Sequence, residues 1–168
     1  SQNMNFVMDL TAEAFVRMHA ESRLVPDPEE KVTRILEQAN QLAGEQFKPD
    51  TPVTSLSGGQ SRALMIADMA ILSKSPIVLI DEIENAGIDR KKALELLVKQ
   101  EKIILMATHD PILALMGDKR LVIKNGGIAK IIDSSDAERK NLAKLEELDN
   151  TLLALRNRIR FGETLEEL

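Results

Sequence analysis

The sequence predicts an α/β fold: part of a parallel sheet, a helical subdomain ahead of it and a long helix behind it. Three observations carry this. Ile77-Val78-Leu79-Ile80 and Ile103-Ile104-Leu105-Met106-Ala107 are continuous apolar runs, the pattern of strands buried on both faces. A helical stretch from about Arg90 to Lys99 separates them, which is the arrangement of a right-handed strand–helix–strand crossover. Helical periodicities flank the pair on both sides.

Taken in order, the first helix spans about Thr11 to Ser22. Thr11 suits the N-cap, Glu13 the first turn, and Phe15, Met18 and Ser22 fall on one face. His19 sits at a polar position and is expected to face solvent. After the break at Leu24-Val25-Pro26, Asp27 is expected to cap a second helix with Pro28 at its first position and Glu30 at its third. Val32, Ile35, Leu36, Ala39, Leu42 and Ala43 form its apolar stripe. The two prolines of Phe47-Lys48-Pro49-Asp50-Thr51-Pro52 make that stretch a loop. Leu56-Ser57-Gly58-Gly59-Gln60 leads into a helix through about Leu72, and Ser73-Lys74-Ser75-Pro76 turns the chain into the first strand. Beyond the second strand, Asn125-Gly126 between two apolar runs predicts a β-hairpin. A helix from about Ala137 to Phe161 carries Leu142, Leu145, Leu148, Leu152, Leu155 and Ile159 along one stripe, suited to packing on its own domain or on another chain.

Composition narrows the function. Aromatic residues are 2% of the 168, with no Trp or Tyr, so the core is aliphatic, which argues against stacking platforms for single-stranded nucleic acid. A net charge of -5 gives no general attraction to a polyanion. Without cysteine there are no disulfides and no thiolate metal sites. The longest apolar runs are far too short to span a bilayer, so a soluble chain is expected, with any membrane association through a partner.

The chemistry concentrates at the strand ends. In parallel α/β sheets the ligand crevice lies at the carboxyl ends of the strands. Asp81-Glu82 ends one strand and Thr108-His109-Asp110 follows the other. A carboxylate pair and a histidine near a Ser-Gly-Gly helix start suit Mg-phosphate chemistry. Glycines let backbone N–H groups approach a phosphate, and the helix N-terminus favours its charge.

These motifs, in this order, resemble those of ABC (ATP-binding cassette) ATPases. Leu56-Ser57-Gly58-Gly59-Gln60 matches the LSGGQ signature without a mismatch, and Ile77 to Glu82 resembles the Walker B strand. Asn85-Ala86-Gly87-Ile88-Asp89 resembles the D-loop, and Met106-Ala107-Thr108-His109-Asp110 the switch segment. The resemblance covers roughly residues 55 to 132 and extends to Gln2, placed like a Q-loop glutamine before Leu10-Thr11-Ala12-Glu13.

The resemblance implies a P-loop NTPase-like sheet, present in part, and a division into a helical subdomain (1–54), the signature and Walker B part of the ATPase core (55–132) and a C-terminal helical extension (133–168). Ser57, Gly58, Gly59 and Gln60 would contact ATP held by a second nucleotide-binding domain in a head-to-tail dimer. Asp81 would hold Mg²⁺ through water and Gln2 would touch the metal or water. Glu82 would act on the attacking water, His109 would sense the γ-phosphate, and Asp89 would reach the dimer interface. The implied protein is the ATP-hydrolysing subunit of an ABC transporter, cytoplasmic and bound to the membrane through a transmembrane permease subunit, with no direct nucleic-acid contact. A soluble ABC ATPase acting on ribosomes or nucleic acid and an inactive regulatory module are the alternatives.

Three departures accompany the resemblance. The stretch from Asp81 to Asp89 is one residue longer than usual. Arg62 stands one position early after the signature, and Asp68 replaces a common basic residue. No Gly-Lys dipeptide occurs in the 168 residues, so the P-loop that would cradle ATP in cis is absent from them, and the chain reads as part of a longer one, inactive alone.

Overall fold

The computed structural model describes residues 8–83 and 87–164. It forms two compact units divided between Thr108 and His109. That division falls inside the stretch 55–132 outlined from the sequence.

The first unit opens with α1 (Ala12–Ser22), whose N-cap Thr11 accepts a hydrogen bond from the Ala14 N–H at 3.1 Å. Its buried face is Ala12, Phe15, Val16 and Ala20, not the predicted Phe15, Met18 and Ser22. Steps of three, one and four also follow one helical face, turned from the one read from the sequence, and Ser22 lies exposed at the helix end. Helix α2 (Pro28–Leu42) buries the predicted stripe from Val32 to Leu42. Asp27 does not cap it by its side chain; its backbone is left-handed at φ 52° and it makes no capping hydrogen bond. A 3₁₀ turn (Val53–Ser55) then leads to α3 (Gly58–Leu72), which packs against α1, α2 and the later α4 (Arg90–Lys99). The loop before that turn is tied down by backbone bonds from Ala12 to Thr51 and from Val53 to Leu10, and Asn40 clamps both backbone groups of Phe47.

Strands β1 (Ile77–Asp81) and β2 (Ile103–Ala107) pair in parallel, Ile77 opposite Ile103 through Asp81 opposite Ala107, with α4 as the crossover packed on β2. Lys102 pins the entry to the sheet, its Nζ donating to the carbonyls of Ser73 and Ser75 at 2.5 and 2.7 Å. The expected burial on both faces is not found. Val78 is buried, whereas Leu79 is 74% exposed, Ile103 60%, and Ile77 and Leu105 about half. Helices cover one face of this two-stranded sheet, and the side chains of the other pleat point outward.

The second unit contains a helix the sequence reading missed, α5 (Pro111–Met116). Asp110 accepts from the Ile112 and Leu113 N–H groups and Pro111 takes the first position, where no donor is needed. Strands β3 (Lys119–Lys124) and β4 (Gly127–Asp133) form the predicted hairpin. Asn125 and Gly126 both adopt positive φ, 53° and 76°, as the tight turn requires. The long helix α6 (Asp136–Arg160) starts with a capping box between Ser135 and Glu138. Its first turns are fixed by Arg120 on Glu138 and Arg139 on Asp118. Helix α5 packs on α6, yet α6 has no buried residue. The leucine stripe thus divides: Leu142 and Leu145 are half-buried, while Leu148, Leu152 and Ile159 are exposed.

Candidate functional site

The signature turn is built by its own capping. Ser57 Oγ accepts from the Gln60 N–H at 3.3 Å, and Gln60 Oε1 accepts from the Ser57 N–H at 2.9 Å. Gln60 also donates Nε2 to the carbonyls of Glu45 and Gln46, at 3.2 and 3.4 Å. One side chain therefore closes the turn and fastens it to the loop after α2. Ser57 and Gly58 are left exposed at the helix start. A Cβ added at Gly58 would meet nothing within 4 Å. Packing in this chain does not demand glycine there, so the small residue leaves room for something else to approach.

The D-loop segment lies against that turn. Gly87 has φ +63°, and a Cβ built on it would stand 3.7 Å from the Gly59 Cα. Asp89 donates its N–H to the Leu42 carbonyl, and Ile88 bridges Ala43. The Asp89 carboxylate caps α4 by accepting from the Lys92 N–H at 3.1 Å. Burial pushes this carboxyl up, but the hydrogen bonds from Lys92 outweigh it and hold it below the usual carboxylate value. The joining of signature and D-loop through glycines was not read from the sequence; the signal was Gly87, the one glycine of its segment.

Asp81 ends β1, exposed, opposite Ala107. Glu82 follows with its N–H donated to the Ala107 carbonyl at 3.1 Å and a left-handed backbone, φ 46°. Left-handed conformation in a non-glycine residue is uncommon and costs energy, and it gathers at functional positions. It turns the chain off the strand and leaves Glu82 half-buried at the rim. The two strand ends thus lie side by side as expected. His109 opens the second unit, exposed, immediately before the Asp110 cap of α5. Gln2 lies outside the described residues.

Among the described residues no group of three or more His, Asp or Glu is placed to hold a metal. Two adjacent carboxylates suit Mg²⁺ none the less, because that ion keeps several waters and takes few protein ligands beside phosphate oxygens.

His19 is not the solvent-facing residue expected. Its Nδ1 lies 3.2 Å from both carboxylate oxygens of Asp68, and its ring is 4.2 Å from that of Phe15. Asp68, the departure noted within the signature helix, is 2% exposed. Burial pushes its carboxyl above the ordinary value, against the pull of His19 and Arg23. This pair fastens α3, which carries the signature, to α1.

The sequence matches the ABC transporter family over residues 1–85. It is 57% identical over 165 residues, 98% of this chain and 63% of the other, to an uncharacterized ABC transporter ATP-binding protein of Methanocaldococcus jannaschii. The fold resembles the ATP-binding subunit of an ABC transporter at a TM-score of 0.64 and 22% identity, covering 90% of this chain and 66% of that one. It also resembles an ATP-binding cassette solved as a post-hydrolysis dimer with ADP and Pi, at a TM-score of 0.57 and 23% identity, covering 75% of this chain and 57% of that one. These structural likenesses concern the fold. The chain belongs to the ABC transporter family. It spans about 63% of the length of the Methanocaldococcus protein.

Proposed function

We propose that these residues form the signature, Walker B, D-loop and switch portion of the ATP-binding and ATP-hydrolysing subunit of an ABC transporter. The carrying observation is the exposed, self-capped Ser57-Gly58 helix start with open space at Gly58. Backbone N–H groups at such a start favour an anion. In this reading Ser57, Gly58 and Gly59 meet the γ-phosphate of ATP bound by a second nucleotide-binding domain. Gln60 acts through the turn it closes. Asp81 holds a water of the Mg²⁺ shell, with Gln2 beside it, and Glu82 orients and deprotonates the attacking water. His109 contacts the γ-phosphate, and Asp89 lies at the boundary between the two domains. Bound Mg²⁺ supplies charge neutralisation on the phosphates.

The P-loop that this reading requires is not among these 168 residues. The subunit works in the cytoplasm and reaches the membrane through a permease. Among the described residues no helix is long and apolar enough to cross a membrane.

The test is Gly58→Ala in the full-length protein. The added methyl meets nothing within the chain, so the melting temperature should hold or rise slightly. ATP turnover should fall by at least about tenfold, because the methyl occupies the space of phosphate approach. Unchanged turnover would remove the signature turn from the phosphate site.

A further inference from the structure

The second half of α6 carries an apolar seam that the described residues of its own unit leave mostly exposed, Leu155 alone being half-buried. Leu148 is 61% exposed and Ile159 58%, with Leu152 about half. With Leu155 they are spaced four, three and four, which is the a/d repeat of a coiled coil and not the wider stripe of a helix lying on a globular core. The first half differs. Glu138, Leu142, Leu145 and Asp149 are half-buried, and α5 packs on this helix.

Charge is segregated along the same helix. Glu146, Glu147 and Asp149 precede the seam's middle, and Arg156, Arg158 and Arg160 follow it. A parallel partner would set the three arginines beside their own copies. It would also bring together the two anchored halves with their hairpins. An antiparallel partner does neither.

We propose that residues 147–160 of α6 pair antiparallel with the same segment of a second copy of this chain. The register follows from the seam. Leu152 packs on Leu155 of the second copy and Leu148 on its Ile159, giving four apolar layers over about 20 Å of helix. In that register Asp149 flanks Arg156 of the second copy, twice by symmetry, and the acidic end of each helix runs beside the basic end of the other. Opposed helix dipoles favour the same orientation. This contact is separate from the ATP-sandwiched dimer and does not rest on the proposed function. It would hold two subunits together through both the loaded and the empty state.

The chain has no cysteine, so introduced thiols report cleanly. Mixed Leu148→Cys and Ile159→Cys chains should oxidise to a disulfide-linked heterodimer, with little of either homodimer. Self-linking of each variant would show a parallel register and overturn the proposal. In sedimentation equilibrium of the 168-residue chain, Arg156→Asp should weaken self-association about tenfold by setting two carboxylates against each other. The swap Asp149→Arg/Arg156→Asp should restore it. A parallel pair would gather the arginines of both copies, so the single variant would not weaken it, and association as tight as that of the unchanged chain would overturn the proposal. A strictly monomeric chain at all concentrations, or association unaffected by Leu152→Glu, would also overturn the proposal.

Discussion

Removing His19 should expose what it costs to bury Asp68. His19→Ala deletes the bond to a carboxylate that is 2% exposed. A hydrogen bond to a charged group contributes about 1.5–3 kcal/mol. The lost ring contact with Phe15 adds about 0.5–1.5 kcal/mol. Arg23 remains nearby but exposed, so it compensates little. The expected loss is about 3 kcal/mol near neutral pH. It should shrink in acid. Asp68 already has a folded-state pKa above its value of 3.8, so its stabilising share is present at low pH and falls as pH rises through the raised value. Without His19 that value moves higher still, and the penalty is avoided wherever the carboxyl takes up a proton. Urea unfolding followed by circular dichroism at pH 5 and pH 8 measures both quantities. Equal losses below about 1 kcal/mol at the two pH values would refute the reasoning, since the pair would then hold nothing together.

Three further outcomes follow from the geometry. Gln60→Ala removes the closing bond of the turn and two donations to the loop after α2, so it should destabilise the first unit by about 1–2 kcal/mol in the same unfolding assay. In the full-length protein Glu82→Gln should cut ATP turnover by about 10²–10⁴-fold while nucleotide binding persists, as measured by turnover and filter binding. The 168-residue chain should bind Mg-ATP no tighter than high micromolar in calorimetry, because it lacks the Gly-Lys cradle, and low-micromolar binding would sink that expectation.

Much of this was legible because it is local. Continuous apolar runs gave β1 and β2, Asn125-Gly126 gave the hairpin turn, and the cap at Thr11 followed from short-range hydrogen bonding. Asp27 shows the limit of local reading. A capping sequence was present, but the chain enters α2 through a left-handed Asp27 whose side chain makes no capping hydrogen bond. The strand patterns overstated burial because apolar content records what a strand is suited to face, not what covers it. His19 and Asp68 lie 49 positions apart, and no periodicity links them; only the packing of α1 on α3 brings them into contact. The α5 helix was hidden by its six-residue length, although Asp110-Pro111 is itself a start signal.

The left-handed backbone at Glu82 has a consequence for how this position tolerates change. Glycine adopts that conformation without steric penalty, so Glu82→Gly would relieve about 1 kcal/mol or more of local strain. A selection for thermal robustness alone would therefore drift toward glycine at the residue proposed to act on water. Keeping glutamate there requires a second pressure, exerted by turnover, and consensus-style stabilisation of this family member should hold position 82 fixed.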